Sequence, residues 1–204
     1  MARPREFDET DVLDRALNAF WARGYDATSI EDLVEATGLG RASLYGAFGD
    51  KEQLFQRALA RYVEYSRVER NRVTQDLSAR HALEAFLNSL IVAAADKRKP
   101  SGCFLQLSAT AGTTPPLVQE AFRATNREMN GWFTENLRQA QEQGELSPDA
   151  DLAALTTFIG VFMSGLTASA KAGVSSKALT MAAREAIDLM FKESQSRKPP
   201  KPGK

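Results

Sequence analysis

The side chains best equipped for chemistry gather in one short stretch, Thr28 to Leu54, which reads TSIEDLVEATGLGRASLYGAFGDKEQL. Arg41 carries a guanidinium fork whose parallel N–H donors match paired acceptors such as the O6 and N7 of guanine. Beside it stand Ala42 and the hydroxyls of Ser43 and Tyr45, suited to phosphates or base edges. Thr28 and Lys51 fall at predicted helix starts, where free backbone N–H groups and the helix dipole attract phosphate. Elsewhere such residues are sparse. Cys103 is the one cysteine and His81 the one histidine. They fall on separate predicted helices with no orienting acid, which is not the arrangement of an activated nucleophile. With no paired carboxylates and no Gly-rich phosphate loop, the chain is expected not to be an enzyme and to use no cofactor and no metal.

Positioning these residues requires helices. Apolar residues recur with a period near 3.6 along almost the whole chain, and no alternating run suggests a strand. A first helix is predicted from Thr10 to Arg23, with Val12, Leu13, Ala16, Leu17 and Phe20 on one face and Gly24 as its stop. Thr28-x-x-Glu31 reads as a capping box opening a second helix that ends near Thr37-Gly38. A third runs from about Gly40 to Gly46, and Asp50 with Gln53 caps a fourth over Lys51 to Thr74. Phe20, Tyr25, Ile30, Leu33, Val34, Leu39, Leu44, Phe48 and Leu54 are the expected core of this first lobe. A second helical lobe follows. Its fifth helix is marked by Leu83 to Ile91, a short sixth by Cys103 to Ala109, and a seventh starts at Pro115-Pro116. Ser147-Pro148 should cap an eighth, with Asp149 and Asp151 in its first turn, and a ninth runs from Ser176 to Lys192. The expected architecture is therefore all-α with nine helices. Its expected domains are residues 1–50, residues 51–194 and a disordered basic tail, residues 195–204.

Composition narrows the partners. The chain has 204 residues, 43% of them hydrophobic, enough to bury a core without disulfide or metal staples. Lys plus Arg and Asp plus Glu both number 26, which excludes a generally polycationic nucleic-acid coat protein but not a DNA reader with one basic face. Residues 1–50 hold five basic and ten acidic side chains, an acidic balance for a DNA-binding lobe. The expected resolution is local: the acids point away, and Arg3, Arg5, Arg41 and Lys51 form the contact face. A single cysteine and a charged N-terminus without an apolar core suggest a reducing, cytoplasmic setting. No apolar run is expected to span a membrane.

Two short helices joined by a glycine turn resemble a helix-turn-helix, whose second helix enters the major groove. Phe20, Gly24-Tyr25, Thr28, Leu33, Gly38-Leu39, Leu44-Tyr45, Phe48, Lys51-Glu52 and Leu54 together resemble the DNA-binding domain of the TetR family of transcriptional repressors. The likeness is close over residues 8–55 and architectural beyond, and it departs at Gly40, where the family usually has Ser, and at Gly46-Ala47.

The resemblance implies a homodimer, formed by the last two helices of each chain, that binds a palindromic double-stranded DNA operator and releases it when a small-molecule effector binds. Gly160, Gly165 and Ala168, with Ala182, Ala183 and Ala186, would permit close approach in that dimer. Cys103, Phe104, Phe122, Met129, Trp132, Phe158 and Phe162 are the expected ligand-binding residues. Ser101-Gly102-Cys103-Phe104 also resembles the Gly-Cys turn of electrophile-sensing members, implying a modifiable thiol. The reading the residues alone favour for Cys103 is a small buried hydrophobe. A reading from another class is a helical ligand-binding or redox-sensing protein without functional DNA binding.

Overall fold

The computed structural model describes residues 7–96, 100, 104 and 116–196, all of its regular structure helical. Eight helices are present among them: α1 Glu9–Arg23, α2 Ile30–Thr37, α3 Arg41–Phe48, α4 Lys51–Thr74, α5 Ala79–Ala95, α6 Pro116–Glu142, α7 Leu152–Lys171 and α8 Ser176–Ser196. The predicted helix from Cys103 to Ala109 falls on residues of which only Phe104 is described. Gln195 and Ser196, assigned to a disordered tail, are instead the last residues of α8, and the remainder of that tail lies outside the described residues.

The described residues form two compact units. The first comprises residues 7–68, 100, 104 and 116–125. Its core holds Val12, Ala16, Leu17 and Phe20 of α1, Leu33 of α2, Leu44 and Phe48 of α3, and Leu54, Phe55, Ala58 and Leu59 of α4. Tyr25, Ile30, Val34 and Leu39 pack against it, so every residue expected in this core takes part. Phe20, Tyr25 and Phe55 meet as an aromatic cluster, with Phe20 and Phe55 edge to face at 4.9 Å. Three short helices in so little chain gain little from helix cooperativity, so burial of these rings is what holds them.

The second unit comprises residues 69–96 and 126–196. Leu83, Phe86, Leu87 and Ile91 of α5, Phe133, Leu137 and Ala140 of α6, Ile159 and Leu166 of α7, and Leu179, Ala183, Ile187 and Phe191 of α8 form its core. The start of α7 differs from expectation. Ser147 to Ala150 make a turn closed by the Ala150 N–H on the Ser147 carbonyl at 3.0 Å. Asp151 is the N-cap itself, accepting from the N–H groups of Ala153 and Ala154 at 3.0 Å each.

α7 is the apolar helix of the described residues. By length and composition it is long and apolar enough to cross a membrane, yet only 22% of its most apolar stretch is buried. Its outward row carries Phe158, Val161, Gly165 and Ala168, and the outward face of α8 adds Met181, Ala182 and Leu189. Ala183 and Ala186, expected in a dimer contact, are buried within the chain.

Candidate nucleic-acid interface

Helix α2 is closed at both ends by local chemistry. Ser29 is its N-cap: its hydroxyl oxygen accepts from the Asp32 N–H at 3.0 Å, and Asp32 accepts from the Ser29 N–H at 2.8 Å. This box replaces the expected Thr28–Glu31 pair. Thr28 is fully buried and its hydroxyl donates to the Gly24 carbonyl at 2.6 Å, so it does not face a phosphate. The exposed hydroxyl at this helix start belongs to Ser29. At the other end Gly38 takes a left-handed conformation, φ 73°, and reverses the chain toward α3.

Helix α3 begins at Arg41 after Gly40, which supplies no side-chain cap, and continues through Gly46 to Phe48. The residue that ends it is Gly49, at φ 79°. Leu44 and Phe48 bury one face, while Arg41, Ala42, Ser43, Tyr45 and Gly46 are exposed on the other. Asp50 and Gln53 then cap α4 as expected, the Gln53 N–H donating to Asp50 Oδ1 at 2.8 Å and the Asp50 N–H to Gln53 Oε1 at 3.2 Å. Lys51, at the first position of α4, lies 4.4 Å from the Tyr25 ring centroid. Partial burial lowers its pKa from the usual lysine value, and burial likewise raises that of the Tyr25 hydroxyl.

Arginines answer many of the acids in this unit. Arg61 forms a two-point fork with Asp14 at 2.6 and 2.8 Å, Arg57 reaches Glu9 at 3.0 Å, and Arg15 reaches Asp11 at 2.7 Å. Arg23 pairs with Asp32, and Arg41 pairs with Glu31 of α2. Arg3 and Arg5, the remaining cations of the expected contact face, lie outside the described residues.

The expected ligand-binding residues separate into several groups. Phe104 and Phe122 belong to the first unit, where Phe104 is fully buried against Trp21, Phe55 and Tyr62. Met129, Trp132 and Phe162 pack on the core of the second unit. Phe158 is 44% exposed on the outward row of α7, stacked on Phe162, because α7 is apolar on both faces and periodicity alone does not say which faces inward. Cys103 lies outside the described residues. Arg70, which lies in the charged second half of α4, is the buried cation of the second unit among the described residues.

Two short helices around a left-handed glycine, the second with a polar outward row, define a helix-turn-helix regulator of the DNA-reading class. Residues 12–58 match the model of bacterial regulatory proteins of the tetR family, and residues 79–186 that of the tetracyclin repressor-like C-terminal domain. The chain is 31% identical over 194 residues to the HTH-type transcriptional repressor ComR of Escherichia coli strain K12, covering 92% of this chain and 90% of that one. A regulator of Bacillus subtilis strain 168, YezE, is 30% identical over 174 residues, covering 84% of this chain and 90% of that one. Among solved structures it resembles the TetR family regulator CifR, in a cysteine-mutant form complexed with a 26-base-pair double-strand operator DNA. The TM-score is 0.84 at 34% identity, over 93% of this chain and 100% of that one. The chain belongs to the TetR family of transcriptional regulators.

Proposed function

We propose that this protein is a repressor that binds a palindromic operator as a homodimer, in the cytoplasm, and is released by a small-molecule effector or by modification of Cys103. The observation that carries the reading is the exposed row of Arg41, Ala42, Ser43 and Tyr45 on a short helix whose opposite face is locked by Leu44 and Phe48. Side chains fixed in this way reach a groove without paying to order the helix that carries them. Ser29 and Lys51, each at a helix start, supply phosphate contacts on either side. Residues 1–50 then read DNA, and residues 51–194 bind the effector and the second copy. The apolar outward row of α7 and α8 supports the homodimer, since a face of that kind is stable in water only when covered.

The acidic balance of residues 1–50 favours a second reading, a helical ligand-binding or redox-sensing protein that no longer binds DNA. A gel-shift experiment with the DNA upstream of its own gene separates the two. A sequence-specific shift supports the repressor. No shift there, and no enriched sites in genome-wide mapping, would overturn it. The small-molecule response is a role in binding and not in turnover, so no catalysis is proposed.

A further inference from the structure

Within the second unit a single guanidinium sits where charge is expensive. The Arg70 side chain is 7% exposed, while its carboxylate partner Glu128 is 46% exposed. Only Nη2 meets that partner, donating to Glu128 Oε1 at 3.2 Å. Nη1 lies 3.8 Å from the Met129 sulfur, a weak acceptor. Nε is buried with no hydrogen-bond partner. The guanidinium carbon stands 5.3 Å from the Trp132 ring centroid, and Trp132 packs edge to face on Phe86 at 5.1 Å. A buried cation is ordinarily surrounded by acceptors, and a buried donor left open in a native fold calls for a specific reason.

The geometry supplies one. Nε and Nη2 form the edge of a guanidinium that takes a carboxylate through two parallel bonds, and Glu128 fills only half of it. We propose that the effector is an apolar or aromatic molecule ending in a carboxylate, its two oxygens on Nε and Nη2 of Arg70 and its body along Trp132 and Met129. This deepens the effector-responsive reading above and rests on it. Glu128 is the built-in competitor: the incoming carboxylate displaces it from Nη2, and its half-exposed position lets it turn to water. The Trp132 face adds cation–π stabilisation of the guanidinium that does not depend on which carboxylate is present.

The test is calorimetric titration of the full-length protein with phenylacetate and octanoate against the neutral amides phenylacetamide and octanamide. The acids should bind at least about tenfold more tightly than their amides. Arg70→Met should erase that preference, and Glu128→Gln, which removes the competing charge, should strengthen the acids alone. Glu128→Gln alters a half-exposed carboxylate, so it decides the matter even if Arg70→Met fails to fold. Equal binding of acids and amides, no saturable binding of either acid, or unchanged acid affinity in Glu128→Gln overturns the inference. A gel shift on the same preparations separates the two levels. DNA binding without acid preference leaves the repressor and removes the carboxylate; acid preference without DNA binding does the reverse.

Discussion

Arg41, the residue proposed above to read a base, is held by Glu31 across the turn between α2 and α3. Both side chains are more than half exposed, so the pair is worth little as a stabiliser of the fold. On the proposed reading its consequence lies in binding, because Arg41 would have to leave Glu31 to engage guanine. Glu31→Gln should therefore tighten operator binding by about threefold and reduce discrimination against altered half-sites. Arg41→Ala should cost roughly 1–3 kcal/mol of operator binding. In the double variant the Glu31 effect should vanish, as fluorescence anisotropy titrations would show. An equal gain from Glu31→Gln with and without Arg41 would mean that general charge, not release of Arg41, is responsible.

Gly49 ends α3 at φ 79° and ψ −141°, a region open essentially to glycine alone. A Cβ there would also meet the Gln53 side chain at 1.6 Å, the side chain that caps α4. Gly49→Ala should destabilise the protein by roughly 1–3 kcal/mol in urea unfolding. Gly46→Ala, in the middle of α3 with open space around it, should instead stabilise by up to about 1 kcal/mol.

Asp32 accepts from the backbone and hydroxyl of Ser29 and from Arg23, and these bonds hold its pKa below the ordinary value of 3.8, the Ser29 backbone bond contributing most. A carboxyl depressed in the folded state contributes stability that is present above its unfolded pKa and lost as pH falls through its folded pKa. Asp32→Asn should thus lower thermal stability at neutral pH and make little difference in strong acid. Parallel melting curves across that range would check it, and a constant difference at every pH would refute it.

Val161 is 67% exposed at the centre of the outward row of α7. Val161→Glu should convert the proposed dimer to monomer in sedimentation equilibrium and abolish cooperative operator binding. The helical content should be unchanged, since the side chain contributes nothing to the core of its own chain. A variant that remains dimeric would place the subunit contact elsewhere.

Much of the helical plan is legible in the residues, for local reasons. Gly24 and Gly38 mark helix ends, the Asp50–Gln53 box opens α4, and the bounds of α4 agree at both ends. What escaped depends on longer-range packing. Thr28 and Ser29 both satisfy the capping pattern, and only burial of Thr28 against Gly24 decides between them. Gly46 looks like a stop but stays helical, while Gly49 does the reversal. The Arg41–Glu31 pair spans ten positions, a separation with no helical periodicity to announce it. Arg70 reads as one more solvated charge until α6 is laid against it.

The arginine pairs with Asp14, Glu9 and Asp11 have an effect on when such a protein lets go. Cations already spent on the protein's own acids do not strip counterions from a duplex, and few released counterions mean a weak dependence of affinity on ionic strength. A cell that floods its interior with potassium under osmotic stress would loosen many regulators from their promoters. This one would stay seated, leaving its genes answerable to chemistry and deaf to drought.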